Sequence, residues 1–224
     1  MKTHPVKIWD LPTRIFHWVL VAGIAFMWFS AEISDSLMDR HVQVGEFLLA
    51  LILFRIIWGF VGSESSRFGV FLKSPGNAIQ YAKTIFSRKP SWHAGHNPLG
   101  GWMVVALLLT VLGQASSGLF TSDDIMTEGP LYAWASSDLS DWMSSIHHWL
   151  FDVLIGLIVA HVGAILFYRI FKRTDLISAM VKGDAPWPED EPVSTELKFR
   201  SAWLALVVFA GCYGGVYYGL RALV

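Results

Sequence analysis

Residues 146–171 read IHHWLFDVLIGLIVAHVGAILFYRIF. Asp152 and Arg169 are the only Asp, Glu, Lys or Arg in this stretch. A membrane-crossing helix needs about 20 mostly apolar residues, so the stretch predicts a span. Two of its histidines, His147 and His161, are fourteen residues apart. At 1.5 Å per residue and 100° per step, they sit about 21 Å apart on nearly the same face. Ionisable side chains inside a bilayer are expensive and normally serve a function.

Four further stretches reach the same length: about Thr13–Phe29, His41–Phe60, Leu99–Phe120 and Ser201–Leu220. Composition agrees. The 224 residues are 54% hydrophobic and only 16% charged, against about 25% charged in soluble domains. A formal net charge of −1 leaves no basic surplus for nucleic acid. A single cysteine, Cys212, excludes an intrachain disulfide framework and a Cys-based metal site. Lys2, Lys7 and Arg14 precede the first apolar run as in a signal peptide, but Glu32 follows directly without a small-x-small cleavage site, so an uncleaved span is expected. The expected fold is an all-α membrane protein. A four-helix transmembrane bundle fills residues 1–183, a linker covers 184–200, and a fifth transmembrane helix covers 201–220. The run from Asp184 to Glu196, with Pro186, Pro188 and Pro192 among acids, reads as irregular.

Lys and Arg set the expected orientation. Of the 17, only Arg40 and Arg221 fall on one side of the five spans. The N-terminal arm, the second-to-third loop (with Arg88 and Lys89) and the fourth-to-fifth connection carry the rest, together with Arg55. The N-terminus is therefore expected in the cytoplasm and the C-terminus outside. The two external loops, around Glu32–Asp39 and Asp123–Asp141, are rich in acids. They are either solvated or suited to docking a basic external protein.

Four histidines fall at two matched depths. His17, early in the rising first span, and His161, late in the descending fourth, both belong to the inner half. His41 and His147 open the second and fourth spans at the outer side. Zinc would need three or four ligands, and neither pair offers the rest. Haem iron needs only two axial ligands, because the porphyrin supplies the others. Helix bundles commonly hold such a cofactor between facing helices. The pattern therefore points to two stacked haems. His93 and His96 are three apart, but Asn97-Pro98 follows without a third ligand, so no metal pair is expected there. Arg55, fourteen residues after His41, falls level with the inner pair. It either holds a haem propionate or a quinone oxygen, or snorkels to headgroups.

His147 and His148 compete for one role. Adjacent helical residues point about 100° apart. Fourteen residues back from His161 returns to within about 40° of its direction, whereas thirteen lands about 140° away. His147 is therefore the expected outer ligand, unless the helix unwinds at its start.

The chain resembles the bacterial cytochrome b561 family, close to the b-type cytochrome subunits of nickel–iron hydrogenases. The matching pieces are Arg14-Ile-Phe-His17-Trp18, and His41 followed by Gly45, Arg55 and Trp58. Next come Gly95-His-Asn-Pro-Leu-Gly100, then Gly118-Leu-Phe and Gly129-Pro-Leu131. The last are the pair His147 and His161, and Ala179-Met-Val-Lys-Gly183. They cover about residues 5–183. The resemblance implies two non-covalent b haems with bis-histidine ligation and electron exchange between a membrane quinone and a partner. It places His17, His41, His147 and His161 at ligand positions; Arg14, in the matching stretch, joins Arg55 as a candidate cofactor-binding group.

The expected function is that of an electron-transfer subunit in the bacterial inner membrane, working between the quinone pool and a periplasmic c-type cytochrome or hydrogenase. A stand-alone superoxide:quinone oxidoreductase is the alternative, which the acidic outer loops disfavour because they repel an anion. A haem-free scaffold or transporter with histidine proton relays is a third reading, disfavoured by the matched pairs.

Overall fold

The structure is a computed structural model that describes residues 2–87, 92–122, 127–189 and 197–223. Arg88, Lys89, Asp123 and Pro192, used above, lie outside the described residues. The element order is β1 (Thr3–Lys7), α1 (Leu11–Glu32), α2 (Met38–Val61), α3 (Phe68–Phe71), α4 (Pro75–Ala82), α5 (Pro98–Gly118), α6 (Ser137–Ile170), α7 (Leu176–Lys182), β2 (Asp184–Pro188) and α8 (Ala202–Leu223). Among these, α1, α2, α5, α6 and α8 are long and apolar enough to cross a membrane. They match the five expected spans, and the fold is that of an all-α membrane protein.

Side-chain oxygens explain where the helices begin. The carboxylate of Asp10 accepts the Thr13 amide (2.9 Å) ahead of α1. The Asn97 amide oxygen accepts that of Gly100 (2.8 Å) at α5, and the Ser136 hydroxyl that of Leu139 (3.3 Å) at α6. Each satisfies an amide that the helix leaves without a carbonyl. The Ser136 cap starts α6 nine residues before the expected Ile146. Its 34 residues extend over about 51 Å, well beyond a hydrocarbon core of about 30 Å. His147 therefore stands in the middle of a regular helix and not in a first turn.

The chain divides into two compact units. The first comprises Met1–Ile15, Ile57–Ala106 and Leu157–Ala205. Here the expectation of irregular structure is corrected over residues 184–188, while 190–196 lie outside the described residues. Residues 184–188 form β2, which pairs antiparallel with β1 in the register Thr3↔Pro188 to Lys7↔Asp184. Two prolines are tolerated because a two-stranded ribbon has an open edge for residues lacking an N–H. Trp187, Trp9, Ile8 and Ala179 form a small core beneath the ribbon. Gly183 adopts φ +97°, a conformation that favours glycine, and its carbonyl receives the amides of Ile8 and Trp9. Residues Lys198 and Arg200 bond to Glu64 and Ser63, which ties the entry of α8 to the loop after α2.

The second unit comprises Phe16–Ile56, Leu107–Gly156 and Leu206–Val224. Its core lies on α2, where Ala50, Leu51, Ile52 and Phe54 are buried. The upper part of α8 packs on α2 through Phe209, which meets Phe47 and Phe54 at 5.9 Å each. Arg221 closes that contact on Glu46 (3.2 Å).

Candidate haem-binding site

Within the second unit, α2 presents His41 and α6 presents His147. Their ring centres are 6.5 Å apart with planes at 67°. His41 is held by Ser30 of α1, whose hydroxyl oxygen lies 2.9 Å from Nδ1. His147 is held by α5: its Nδ1 lies 2.9 Å from the carbonyl oxygen of Gln114 and 3.2 Å from the Ser117 hydroxyl. Gly118 completes this seat. A Cβ built on it would come within 2.9 Å of the His147 ring carbon Cε1. Four helices thus contribute to one site, two with imidazoles and two with their supports.

The pair fits a haem. A metal–imidazole bond is about 2.0 Å, and a ring nitrogen lies about 1 Å from its ring centre, so two rings binding one metal from opposite sides stand about 6 Å apart. The observed 6.5 Å matches that width. Each Nδ1 is already engaged by the protein, which assigns Nε2 to the metal, as in most metal-bound histidines. Among the described residues no cluster of three or more His, Cys, Asp or Glu side chains gathers, so no full zinc ligand set is present there.

The remaining candidates are placed as follows. His148 is exposed, and its Nδ1 donates to the Ser144 carbonyl of its own helix (2.8 Å). His17 is half-buried on α1, edge-on to Trp18 at 4.9 Å, and belongs to the second unit. His161 is half-buried on α6 and belongs to the first unit. Arg55 is 2% exposed, with its guanidinium carbon 6.0 Å from the ring centre of Phe16. A buried guanidinium on α2 does not match a headgroup-snorkelling arginine. Arg14 reaches back to α7, where Nη2 donates to the Val181 carbonyl (2.6 Å) while Nε is buried. His96 packs between Trp9 (4.7 Å) and Phe71 (4.8 Å), and His93 lies edge-on to Tyr81 (5.4 Å).

Sequence reasoning missed Ser30, Ser117 and the carbonyl of Gln114. A signal for the first two was present, since each is a hydroxyl inside a largely apolar span.

Helices long and apolar enough to cross a membrane that bring two half-buried imidazoles face to face suit a membrane cytochrome of the b type. The chain belongs to the prokaryotic cytochrome b561 family, whose model matches residues 8–183. It is similar to the probable Ni/Fe-hydrogenase B-type cytochrome subunit of Bradyrhizobium diazoefficiens, with 25% identity over 80% of this chain and 85% of the relative. The proteins of the same description from Azotobacter vinelandii and Rhizobium leguminosarum bv. viciae are 25% and 22% identical, covering 85% and 83% of this chain and 92% and 91% of theirs. No solved structure gives a significant match. Haem b is thus the resident cofactor, and membrane electron transport the activity.

Proposed function

We propose that the protein is a dihaem subunit that carries electrons between the membrane quinone pool and an external redox partner of the hydrogenase type. The observation that carries this reading is the 6.5 Å opposition of His41 and His147. A haem bound there supplies one-electron iron chemistry. His41 and His147 would hold the iron, and Ser30, Ser117 and the Gln114 carbonyl would keep both rings oriented.

The second haem is assigned to His17 and His161 from their spacing along the sequence. Arg55 and Arg14 serve as cationic groups toward a propionate or a quinone oxygen at that level. Support for Arg55 comes from its burial beside Phe16, the residue before His17. The hydrogenase-type partner is suggested by relatives described as hydrogenase cytochrome subunits. The asymmetry of Lys and Arg supports an N-terminus in the cytoplasm of a bacterial inner membrane, which puts the His41/His147 site on the partner's side. A c-type cytochrome is a second acceptable external partner, and the acid-rich outer loops suit a basic surface.

The test is a pyridine haemochrome assay on the purified protein, followed by reduction with a short-chain quinol. Two haems b per chain and a rise of the reduced α band on quinol addition are expected. A ratio near one overturns the dihaem reading, and the absence of quinol-driven reduction overturns the quinone assignment.

A further inference from the structure

The two histidines of the described site are held by the same device, built twice. On α1, the Ser30 hydroxyl donates to the Met27 carbonyl three residues earlier (3.0 Å). Its oxygen is then left as an acceptor toward His41 Nδ1 at 2.9 Å. On α5, the Ser117 hydroxyl donates to the Gln114 carbonyl three residues earlier (3.0 Å). His147 Nδ1 faces that carbonyl at 2.9 Å and the Ser117 oxygen at 3.2 Å. Ser30 is 0% exposed and Ser117 3%.

The chemistry of the partners fixes the protons. A carbonyl oxygen can only accept, so His147 Nδ1 carries a hydrogen. His41 also bonds the Met27 carbonyl beside Ser30, which likewise can only accept, so His41 Nδ1 carries one as well. Both rings are therefore locked as Nδ1–H tautomers that present Nε2, each with its N–H polarised by an acceptor on a different helix. Such an outer hydrogen bond makes an imidazole a stronger donor to its metal. Stronger donation favours the oxidised, more positive iron and lowers its reduction potential.

We propose that Ser30 and Ser117 are positioning residues that depress the reduction potential of the haem at the His41/His147 site, Ser30 more than Ser117. The inequality follows from the geometry. The Ser30 oxygen approaches His41 Nδ1 to 2.9 Å, whereas the Ser117 oxygen stands 3.2 Å from His147 Nδ1, and each imidazole also bonds a backbone carbonyl, of Met27 and of Gln114. This inference rests on His41 and His147 being the ligands. That premise has its own readout, since a His41→Ala protein retaining all of its haem removes the premise and leaves the serine geometry as it is.

The experiment is a potentiometric titration of purified holoprotein, read at the α bands, for the parent, Ser30→Ala, Ser117→Ala and Ser30→Thr, with haem content measured on each. Ser30→Ala should move one midpoint to higher potential and leave the other in place. Ser117→Ala should move the same midpoint in the same direction by less, and Ser30→Thr, which restores the hydroxyl, should return it to the parent value. Low-temperature electron paramagnetic resonance should show an altered low-spin signal from that haem alone in Ser30→Ala. A haem-replete Ser30→Ala protein with both midpoints unchanged overturns the proposal. So does a Ser30→Thr protein shifted as far as Ser30→Ala, or a larger shift from Ser117→Ala than from Ser30→Ala. If Ser30→Ala does not retain haem, Ser117→Ala and Ser30→Thr decide: an upward shift in the former with parent-like behaviour in the latter supports the proposal, and any other pair of results overturns it.

Discussion

Gly118 on α5 lies so close to His147 on α6 that a Cβ at position 118 would fall 2.9 Å from the imidazole Cε1 and 3.2 Å from Nδ1. Real Cβ atoms rarely approach ring atoms so closely, so any side chain at 118 displaces the ring. Moving the ring also disturbs its bond to the Gln114 carbonyl. Gly118→Ala should therefore lose one haem of the proposed two, or bind it with a visibly altered reduced α band, while a control substitution at Gly156, where the built Cβ meets nothing within 4 Å, leaves the spectrum unchanged. A Gly118→Ala protein with the parent spectrum and haem content would contradict this seat.

The doublet His147-His148 gives a clean pair of variants. His147 faces His41, while His148 is exposed and bonded to its own helix at Ser144. His147→Ala should remove about half of the haem measured by the haemochrome assay, and His148→Ala should retain all of it. The opposite pattern would move the ligand by one residue and so rotate the helix face by about 100°.

Arg55 should matter for the second site more than the first. It stands fourteen residues, or about 21 Å, along α2 from His41. Its guanidinium is buried beside Phe16, next to His17. Arg55→Ala is expected to slow quinol-driven reduction or shift one midpoint, with the midpoint assigned to His41/His147 unchanged. Unaltered rates together with two unaltered midpoints would assign Arg55 a packing role only.

Asp10 links two elements of the first unit through one carboxylate. Oδ1 accepts the Thr13 amide (2.9 Å), and Oδ2 accepts the indole N–H of Trp58 (3.1 Å), a side chain at 0% exposure. Asp10→Ala removes a helix cap and an acceptor for a buried donor. Together these should cost about 2–4 kcal/mol of stability. A denaturant or thermal midpoint in detergent should fall clearly, and Asp10→Asn should recover part of the loss by keeping one acceptor oxygen. A midpoint equal to the parent's in Asp10→Ala would show that neither bond contributes.

Much of this protein was readable from its sequence because the governing terms are local. A bilayer of fixed thickness demands apolar runs of fixed length, so five spans could be counted from hydropathy alone. The 3.6-residue period placed His147 and His161 on one helical face and favoured His147 over His148. What hydropathy could not show was polar helix: residues 137–145 begin α6 with Ser, Asp and Trp, and only the Ser136 cap accounts for the earlier start. The strand at 184–188 was read as irregular because its prolines are poor strand formers. Its pairing with Thr3–Lys7, about 180 residues away in the chain, is decided by tertiary contact.

The supports of the site belong to that second kind. That Ser30 of α1 would reach His41 of α2, and that Ser117 and the Gln114 carbonyl of α5 would seat His147 of α6, depends on how helices pack and rotate against each other. Sequence spacing fixes depth and face within one helix, because rise and twist per residue are constant. It does not fix which neighbouring helix supplies an acceptor, because that is set by side-chain packing between segments far apart in the chain. The number and type of spans and the helical face that carries His147 were therefore legible in the sequence. The partner of each imidazole, the resulting Nδ1–H tautomers and the docking of α8 on α2 were decided only when the helices came together.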